Sequence, residues 1–290
     1  GLTVTGTTGC TASQTVEVVI TEQPAPPVLN IAEASICIGE AAVLQTSPYS
    51  GSTVSYCWYQ RIGGQDTLIA VTLVPQFTVE DLPAGTWTYA VEVKRNGCAS
   101  GLSAPASVQV NNPPIAITND AVILRCEGES FNLGTPVIGP GYTYQWIGPG
   151  FFSALAVPPE QTNIKPSQSG TYELVIFLDG CPSDPAFTQV EITPSPPQPD
   201  LASNGPVCQG DELTIFTDLT DGQLYSWKTP NLGTLTTTEP VLSIPSAAAA
   251  NNGEWEVVVT IDGCESPPSE AVFVTVNPIP AINATNNGPG

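Results

Sequence analysis

The sequence has no histidine and no methionine, only 6 lysine and arginine residues, and just 11% charged residues in all. Each shortage excludes something. Without histidine the commonest general base is missing, the Ser-His-Asp arrangement cannot be assembled, and most zinc sites lose a ligand. With 27 acidic residues the formal charge is −21. The basic clusters that neutralise phosphates are absent, which argues against nucleic acid or an anionic membrane as a partner. The acids are scattered, as on a solvated surface. No apolar run reaches the ~18 residues of a membrane span and no charged-then-apolar segment opens the chain, so neither membrane insertion nor a signal peptide is expected. The lack of methionine leads to the expectation that the chain is a processed or excerpted piece of something longer. No D-x-D-x-D-G calcium loop occurs and no cofactor is expected.

What is abundant is turn chemistry: 30 prolines and 26 glycines among 290 residues. Alternating runs such as "TVEVVITE", "SVQVN", "TQVEIT" and "AVFVTV" read as short strands. "SAAAANNGE" is at most a turn. The proline clusters "QPAPP", "NNPP", "PSPPQP" and "NPIP" each follow such a run and mark boundaries. Eight cysteines without any C-x-x-C point to an oxidising compartment, hence to an extracellular, cell-surface location.

Between those boundaries the sequence repeats. Each unit opens with Cys-x-Gly-acid: "CIGE" at Cys37, "CEGE" at Cys126, "CQGD" at Cys208. Each then places a tryptophan in an alternating run, at Trp58, Trp146 and Trp227. Each ends on an aromatic strand closing with Gly-Cys, at Cys98, Cys181 and Cys264. The expected organisation is residues 1–26 as the tail of a preceding unit, 27–112, 113–198 and 199–278 as three complete units, and 279–290 as the first strand of another.

Units of roughly 80 to 90 residues with a strand tryptophan fit an all-β, tandem immunoglobulin-like β-sandwich array. Thr46, Thr135 and Thr217 occupy the positions where a standard immunoglobulin has its strand B cysteine, some 10 to 12 residues before each tryptophan. The phrases "SGTYELVIFLDGC" and "YQWIGPGFF" resemble the Ig-like or PKD-like repeats of large secreted surface proteins of the Bacteroidetes. The resemblance implies an extended surface structure: an adhesin, a gliding filament or a stalk exported by the type IX route. It also implies that Asp66, Thr67 and Leu68 look like an O-glycosylation acceptor at Thr67; the other reading is an unmodified threonine exposed on a loop.

Two cysteine pairings stay open. Pairing within units joins Cys37 to Cys98, Cys126 to Cys181 and Cys208 to Cys264. Against it, immunoglobulin strands B and F run in the same direction, and Cys126 precedes the centre of one (Thr135) while Cys181 follows the centre of the other (Leu174). At ~3.3 Å per residue they lie on the order of 25 Å apart, whereas a disulfide needs Cα atoms within about 7 Å. The alternative staples neighbouring units, Cys37 to Cys181 and Cys126 to Cys264, and leaves Cys10, Cys98 and Cys208 to cysteines beyond this stretch. Cys57, adjacent to Trp58, is expected to point away from the core if Trp58 points inward, and to be an unpaired buried or modified thiol or else bonded to another chain.

Other candidates carry bland readings. Glu127 with Glu129 and Asp211 with Glu212 recur at equivalent turns and read as structural rather than as a glycosidase pair. "NGC" and "DGC" read as hairpin turns. Trp87, Tyr172 and Trp255 open the strand before the second cysteine and are expected near a corner of the sandwich; a sugar-stacking platform is the other reading. "NAT" at Asn283 matches the N-glycosylation pattern. The expected function is a non-catalytic structural region of a filament, adhesin or stalk, partnered by neighbouring domains or identical chains. The alternative is a glycan- or protein-binding region in which "GPGFFSALAVPPE" presents Phe151 and Phe152.

Overall fold

The structure, a computed structural model, describes residues 2–17, 20–31, 34–51 and 53–281. The strand expected at 279–290 and the motif at Asn283 therefore lie largely or wholly outside the described residues, as does part of "TVEVVITE". The described residues form strands, with two single-turn 3₁₀ segments, Pro166–Gln168 and Ala249–Asn251.

The three repeats build the same sandwich. In the first, one sheet runs in the order Ser35–Cys37, Ala106–Asn111, Gly85–Arg95, Val54–Ile62 and Gln65–Thr72, and faces a three-stranded sheet of Leu29–Ile31, Ala42–Thr46 and Gln76–Val79. Ser35–Cys37 pairs parallel with Ala106–Asn111, and the other pairs are antiparallel. The second repeats this with Val122–Cys126, Ala186–Thr193, Gly170–Leu178, Tyr142–Gly148 and Phe151–Ser153, opposite the short pair Ser130–Phe131 and Gln161–Thr162. The third has Leu201–Ser203, Leu213–Thr217 and Val241–Ile244 on one side. Thr234–Thr237, Leu224–Lys228, Gly253–Ile261 and Val272–Val274 lie on the other. The fold is that of tandem immunoglobulin-like β-sandwiches.

By contacts the chain divides into two compact units. The first is Gly1–Ile115 with Pro140–Tyr142 and Ile176–Asp184; the second is Ala116–Gly139, Thr143–Val175 and Pro185–Gly290. The segment Ile176–Asp184 belongs with the first because it carries Cys181, which is bonded to Cys37.

Alternation explains the cores. Along Gly170–Leu178, Tyr172, Leu174 and Ile176 are buried; along Gly253–Ile261, Trp255, Val257 and Val259 are. Period-2 burial of this kind is what a half-covered sheet imposes. Trp58, Trp146 and Trp227 are each 0% exposed at the centre. The indole N–H of Trp58 donates to Thr72 Oγ1 and that of Trp227 to Thr237 Oγ1, both at 2.9 Å. These threonines sit on the adjacent hairpin strand, which offers a hydroxyl where a buried N–H would otherwise be costly.

The second aromatic of each unit makes a corner. Trp87 donates to the Pro83 carbonyl at 2.8 Å, Tyr172 to Gln168 at 2.9 Å and Trp255 to Asn251 at 3.0 Å. Each bond reaches four residues back and ties the incoming loop to the start of the long strand, the role of the immunoglobulin tyrosine corner. Tyr172 and Trp255 are buried, so neither presents a stacking face, whereas Trp87 is half-buried. Because Tyr172→Phe removes only the hydroxyl, it is expected to cost about 1–2 kcal/mol, read as a lower urea midpoint. An unchanged midpoint would remove the corner from the stability argument.

Candidate functional site

The Cys-x-Gly-acid motif is a turn. Gly39, Gly128 and Gly210 have φ of 86°, 88° and 95°, values that only glycine adopts cheaply. The acidic residue's N–H closes the turn onto the cysteine carbonyl: Glu40 to Cys37 at 3.0 Å, Glu129 to Cys126 at 3.2 Å and Asp211 to Cys208 at 3.1 Å. Positive φ at the third residue alone is the type II pattern. The acid's side chain then accepts from the cysteine's own N–H, at 2.7 Å for Glu40 and Glu129 and 3.3 Å for Asp211. The turn is also tied to the last strand of its unit, through Ile38 to Asn111, Glu127 to Thr193 and Gln209 to Asn277. These acids, which look like paired carboxylates in the sequence, are thus occupied in holding cysteines. Glu127 pairs with Lys165 at 3.0 Å, and Glu212 accepts from Ser243.

The Gly-Cys motif is a hairpin. Asn96-Gly97, Asp179-Gly180 and Asp262-Gly263 all have φ near 50° and then 80–88°, the primed turn that matches strand twist. Two residues after each cysteine stands a serine that the sequence reading passed over. Ser100, Ser183 and Ser266 each donate N–H to the carbonyl of Val93, Ile176 or Val259 at 2.8 Å, and accept that residue's N–H on Oγ at 2.9–3.0 Å. The hydroxyl replaces a ladder partner where the chain leaves the sheet. The signal was available, since Cys-x-Ser recurs in all three complete units.

Turn and hairpin sit at opposite ends of one sandwich. Cys37 pairs with Asn111, next to Val110, which pairs with Gly85; Cys98 pairs with Arg95. The strand Gly85–Arg95 lies between them, 11 residues long, or roughly 35 Å. No bond can form across that. The structure joins Cys37 to Cys181, with Cα atoms 5.5 Å apart, and Cys126 to Cys264, 5.6 Å apart. It does not join Cys37 to Cys98, Cys126 to Cys181 or Cys208 to Cys264. Cys10, Cys57, Cys98 and Cys208 are free thiols.

One expectation about exposure needs correction, as does one about position. Cys57 is not among them: it faces away from Trp58 and is a buried thiol, 2% exposed, with Val71 and Glu92 opposite it on the neighbouring strands. A bond to another chain would require opening this sheet. Burial pushes its thiol pKa up, Lys94 opposes and Glu92 adds. Nearby, burial and the 2.8 Å bond to Glu92 push Tyr59 up to about 12. Thr67 is exposed, yet it lies on the edge strand Gln65–Thr72 rather than on a loop. Beside it, Asp66 forms a two-pronged pair with Arg61, at 3.0 and 2.9 Å, which lowers the Asp66 carboxyl pKa. Phe151 is not presented to solvent with Phe152; its ring packs edge-on against Tyr172, centroids 5.7 Å apart, while Phe152 is 66% exposed.

Among the described residues, no group of three or more Cys, Asp or Glu side chains could hold a metal ion, and no helix is long and apolar enough to cross a membrane.

Fold and joints together define a tandem immunoglobulin-like chain linked by disulfides. Residues 24–113, the first repeat, match the family described as "Ig-like domain CHU_C associated". No curated protein matches the chain. Solved structures that resemble it include the FN1–FN3 domains of chicken CNTN1, 12% identical over 88% of this chain and 100% of that one, TM-score 0.34. Another comprises three N-terminal domains of the bacteriophage RB49 Highly Immunogenic Outer Capsid protein, 12% identical over 88% and 99%, TM-score 0.38. The four N-terminal Ig domains of Dscam1 isoform 6.9 match at 14% over 87% and 73%, TM-score 0.24.

Thiol accessibility makes the free cysteines distinguishable. With a thiol-reactive chromophore, Cys10 and Cys208 are expected to label first and Cys98 more slowly. Cys57 should label only in denaturant, since both burial and a raised pKa suppress its thiolate. Labelling of native Cys57 at the rate of Cys208 would contradict its placement.

Proposed function

We propose that this chain is a non-catalytic structural region of an extracellular filament, adhesin or stalk, whose repeats are fastened to one another by disulfides. The observation that carries the reading is the span of the bonds. They join cysteines 144 and 138 residues apart, far longer than one repeat, and link the turn of one repeat to the hairpin of the next. Bonds placed this way cannot stabilise a sandwich by closing it on itself; they restrict one sandwich against its neighbour. The short proline-rich connections favour extension in the same sense. Oxidised cysteines, the acidic surface and the match of residues 24–113 to an Ig-like family support a surface location. The domain boundaries at 27, 113, 199 and 279 belong to this proposal, as do the bonding of Cys10, Cys98 and Cys208 beyond this stretch and glycosylation of Thr67.

The second reading, a glycan- or protein-binding region, rests on the exposed ring of Phe152. Loss of glycan-array binding in Phe152→Ala would support it.

The two disulfide loops overlap, because Cys126 lies between Cys37 and Cys181. The shortest covalent path between the ends therefore crosses from Cys37 to Cys181, runs back along the chain to Cys126, crosses to Cys264, and so skips the segments 37–126 and 181–264. In single-molecule pulling, the oxidised chain is expected to reach roughly two-fifths of the contour length of the reduced chain, at ~3.6 Å per freed residue. Equal lengths before and after reductant would sink the fastening role.

A further inference from the structure

Among the described residues, the middle repeat lacks a strand that its neighbours have. In the first and third, a short opening strand, Leu29–Ile31 or Leu201–Ser203, runs antiparallel beside Ala42–Thr46 or Leu213–Thr217 and covers that edge of the sheet. Just past it in the third repeat, the Asn204 N–H donates to the Thr214 carbonyl at 3.0 Å, and the Asn204 side chain accepts the Thr214 N–H at 2.9 Å. In the middle repeat the chain makes one such bond among the described residues, from the Asn119 N–H to the Gly134 carbonyl at 2.9 Å, and then crosses to the other sheet. The Ala121 carbonyl accepts from Gln189 five residues before Cys126, whereas the matching bond of the first repeat, from Gln109 to the Ala34 carbonyl, comes three residues before Cys37. The cause is local. Buried Thr188 donates its hydroxyl to the Asp120 carbonyl at 2.6 Å and draws the chain across early.

The early crossing leaves an open edge. Asn132 stands three residues before Thr135, as Thr214 stands three before Thr217, yet it makes no backbone bond among the described residues. Two residues back, the Ser130 carbonyl is met by a side chain, the Arg125 guanidinium at 3.1 Å. Arg125 precedes its turn cysteine by one residue, a place where the first repeat buries Ile36 and the third half-buries Val207. With an exposed arginine in that apolar place, a groove of about 740 Å³ runs between Val122–Cys126 and the open edge. Its lining includes the exposed side chains of Val122 and Leu124 and, against the one cation, the carboxylates of Asp120, Glu129 and Glu160. The neighbouring repeats show what fits such a place: extended main chain, antiparallel, with apolar side chains on alternate residues as Leu29 and Ile31 supply them to the first core. The acids favour lysine or arginine on the residues between, and they disfavour a second copy of a chain whose net charge is −21.

We infer that the middle repeat binds an extended, basic segment of another protein by strand addition, in the place that Leu29–Ile31 and Leu201–Ser203 fill in the repeats on either side. An edge with unpaired N–H and C=O groups is a template for such pairing, in which main-chain bonds give affinity and alternate side chains give selectivity. The added strand accepts the Asn132 N–H and donates to the Asn132 carbonyl, and it donates to the Ser130 carbonyl once Arg125 swings aside. Its apolar residues cover Ile123 and Phe131 at the floor of the groove, and its cations face Asp120 and Glu160 at the rim. None of the disulfide cysteines takes part, so the site stands or falls apart from the fastening of the repeats.

The test uses the full chain and three eight-residue peptides capped at both ends: one alternating valine and lysine, one alternating valine and glutamate, and the first again with alternate backbone nitrogens methylated. By calorimetry the valine–lysine peptide is expected to bind at one site, about tenfold or more tighter than either of the others. Hydrogen exchange should slow in residues 130–133 and stay unchanged at the matching edges of the first and third repeats. Asn132→Pro removes the N–H that the added strand needs while breaking no bond of the free protein. It is expected to weaken binding about tenfold with the urea midpoint unchanged. Should that variant unfold, Asp120→Asn changes a carboxylate that makes no bond among the described residues, and is expected to weaken binding severalfold at low salt. Equal binding of the methylated peptide, protection at another repeat, closure of the edge by a second copy of the chain, or no binding at millimolar peptide would overturn the inference.

Discussion

Everything distinctive about this chain depends on one constraint, the direction of strands in a sandwich. The strand ending in Cys37, Cys126 or Cys208 runs parallel to the last strand of its repeat, and that strand runs antiparallel to the one leading into the Gly-Cys hairpin. The two cysteines of a repeat are therefore driven to opposite ends. Once they are there, a disulfide can be made only outward. An ordinary immunoglobulin places both cysteines at mid-strand, where the same geometry lets them meet between the sheets. Here the corresponding threonines are buried but not at mid-strand: Thr46 and Thr217 end their strands, and Thr135 lies four residues beyond Phe131, where its strand stops.

Moving the bonds to the ends changes what holds each sandwich together. Its core must manage without an inter-sheet disulfide, and it does so with large aromatics. Each repeat buries a central tryptophan and adds a second aromatic, half-buried as Trp87 and buried as Tyr172 and Trp255, whose polar tip is bonded four residues upstream. The ends, relieved of core duties, are built as connectors. Glycine in the left-handed region gives each turn its bend, the acid fixes the cysteine N–H, and a serine caps the strand behind the opposing cysteine. The overlap of the two disulfide loops means that the middle repeat is held from both sides. With 27 acidic residues against 6 basic ones, copies of such a chain carry like net charge.

Much of this was legible before any coordinates. Alternation in "TYELVIFL" and "EWEVVVTI" gave the inward faces, and the repetition of tryptophan and cysteine gave the number of sandwiches. Turn types followed from Asn-Gly and Asp-Gly. What escaped were contacts made by short polar side chains. Ser183 looks like any loop serine until its hydroxyl is seen to take the Ile176 N–H. Cys57 alternates outward correctly, but a strand on each side and neighbouring side chains cover it, which alternation alone cannot register. Thr67 is exposed but lies on a strand rather than a loop, because Gly63-Gly64 make a tight hairpin and the strand resumes at once. Phe151 and Phe152 differ only in which side of a short strand they occupy.

By itself the sequence determined the sandwiches, their aromatic cores and the shapes of the two cysteine-bearing turns, because each of these is local: period-2 burial, glycine at positive φ, an acid three residues after a cysteine. It left two disulfide pairings open, since spacing along the chain suited both. Only the tertiary structure decided between them. The choice turns on which ends of antiparallel and parallel strands come close in space, and that is fixed by sheet register over distances that no local pattern encodes.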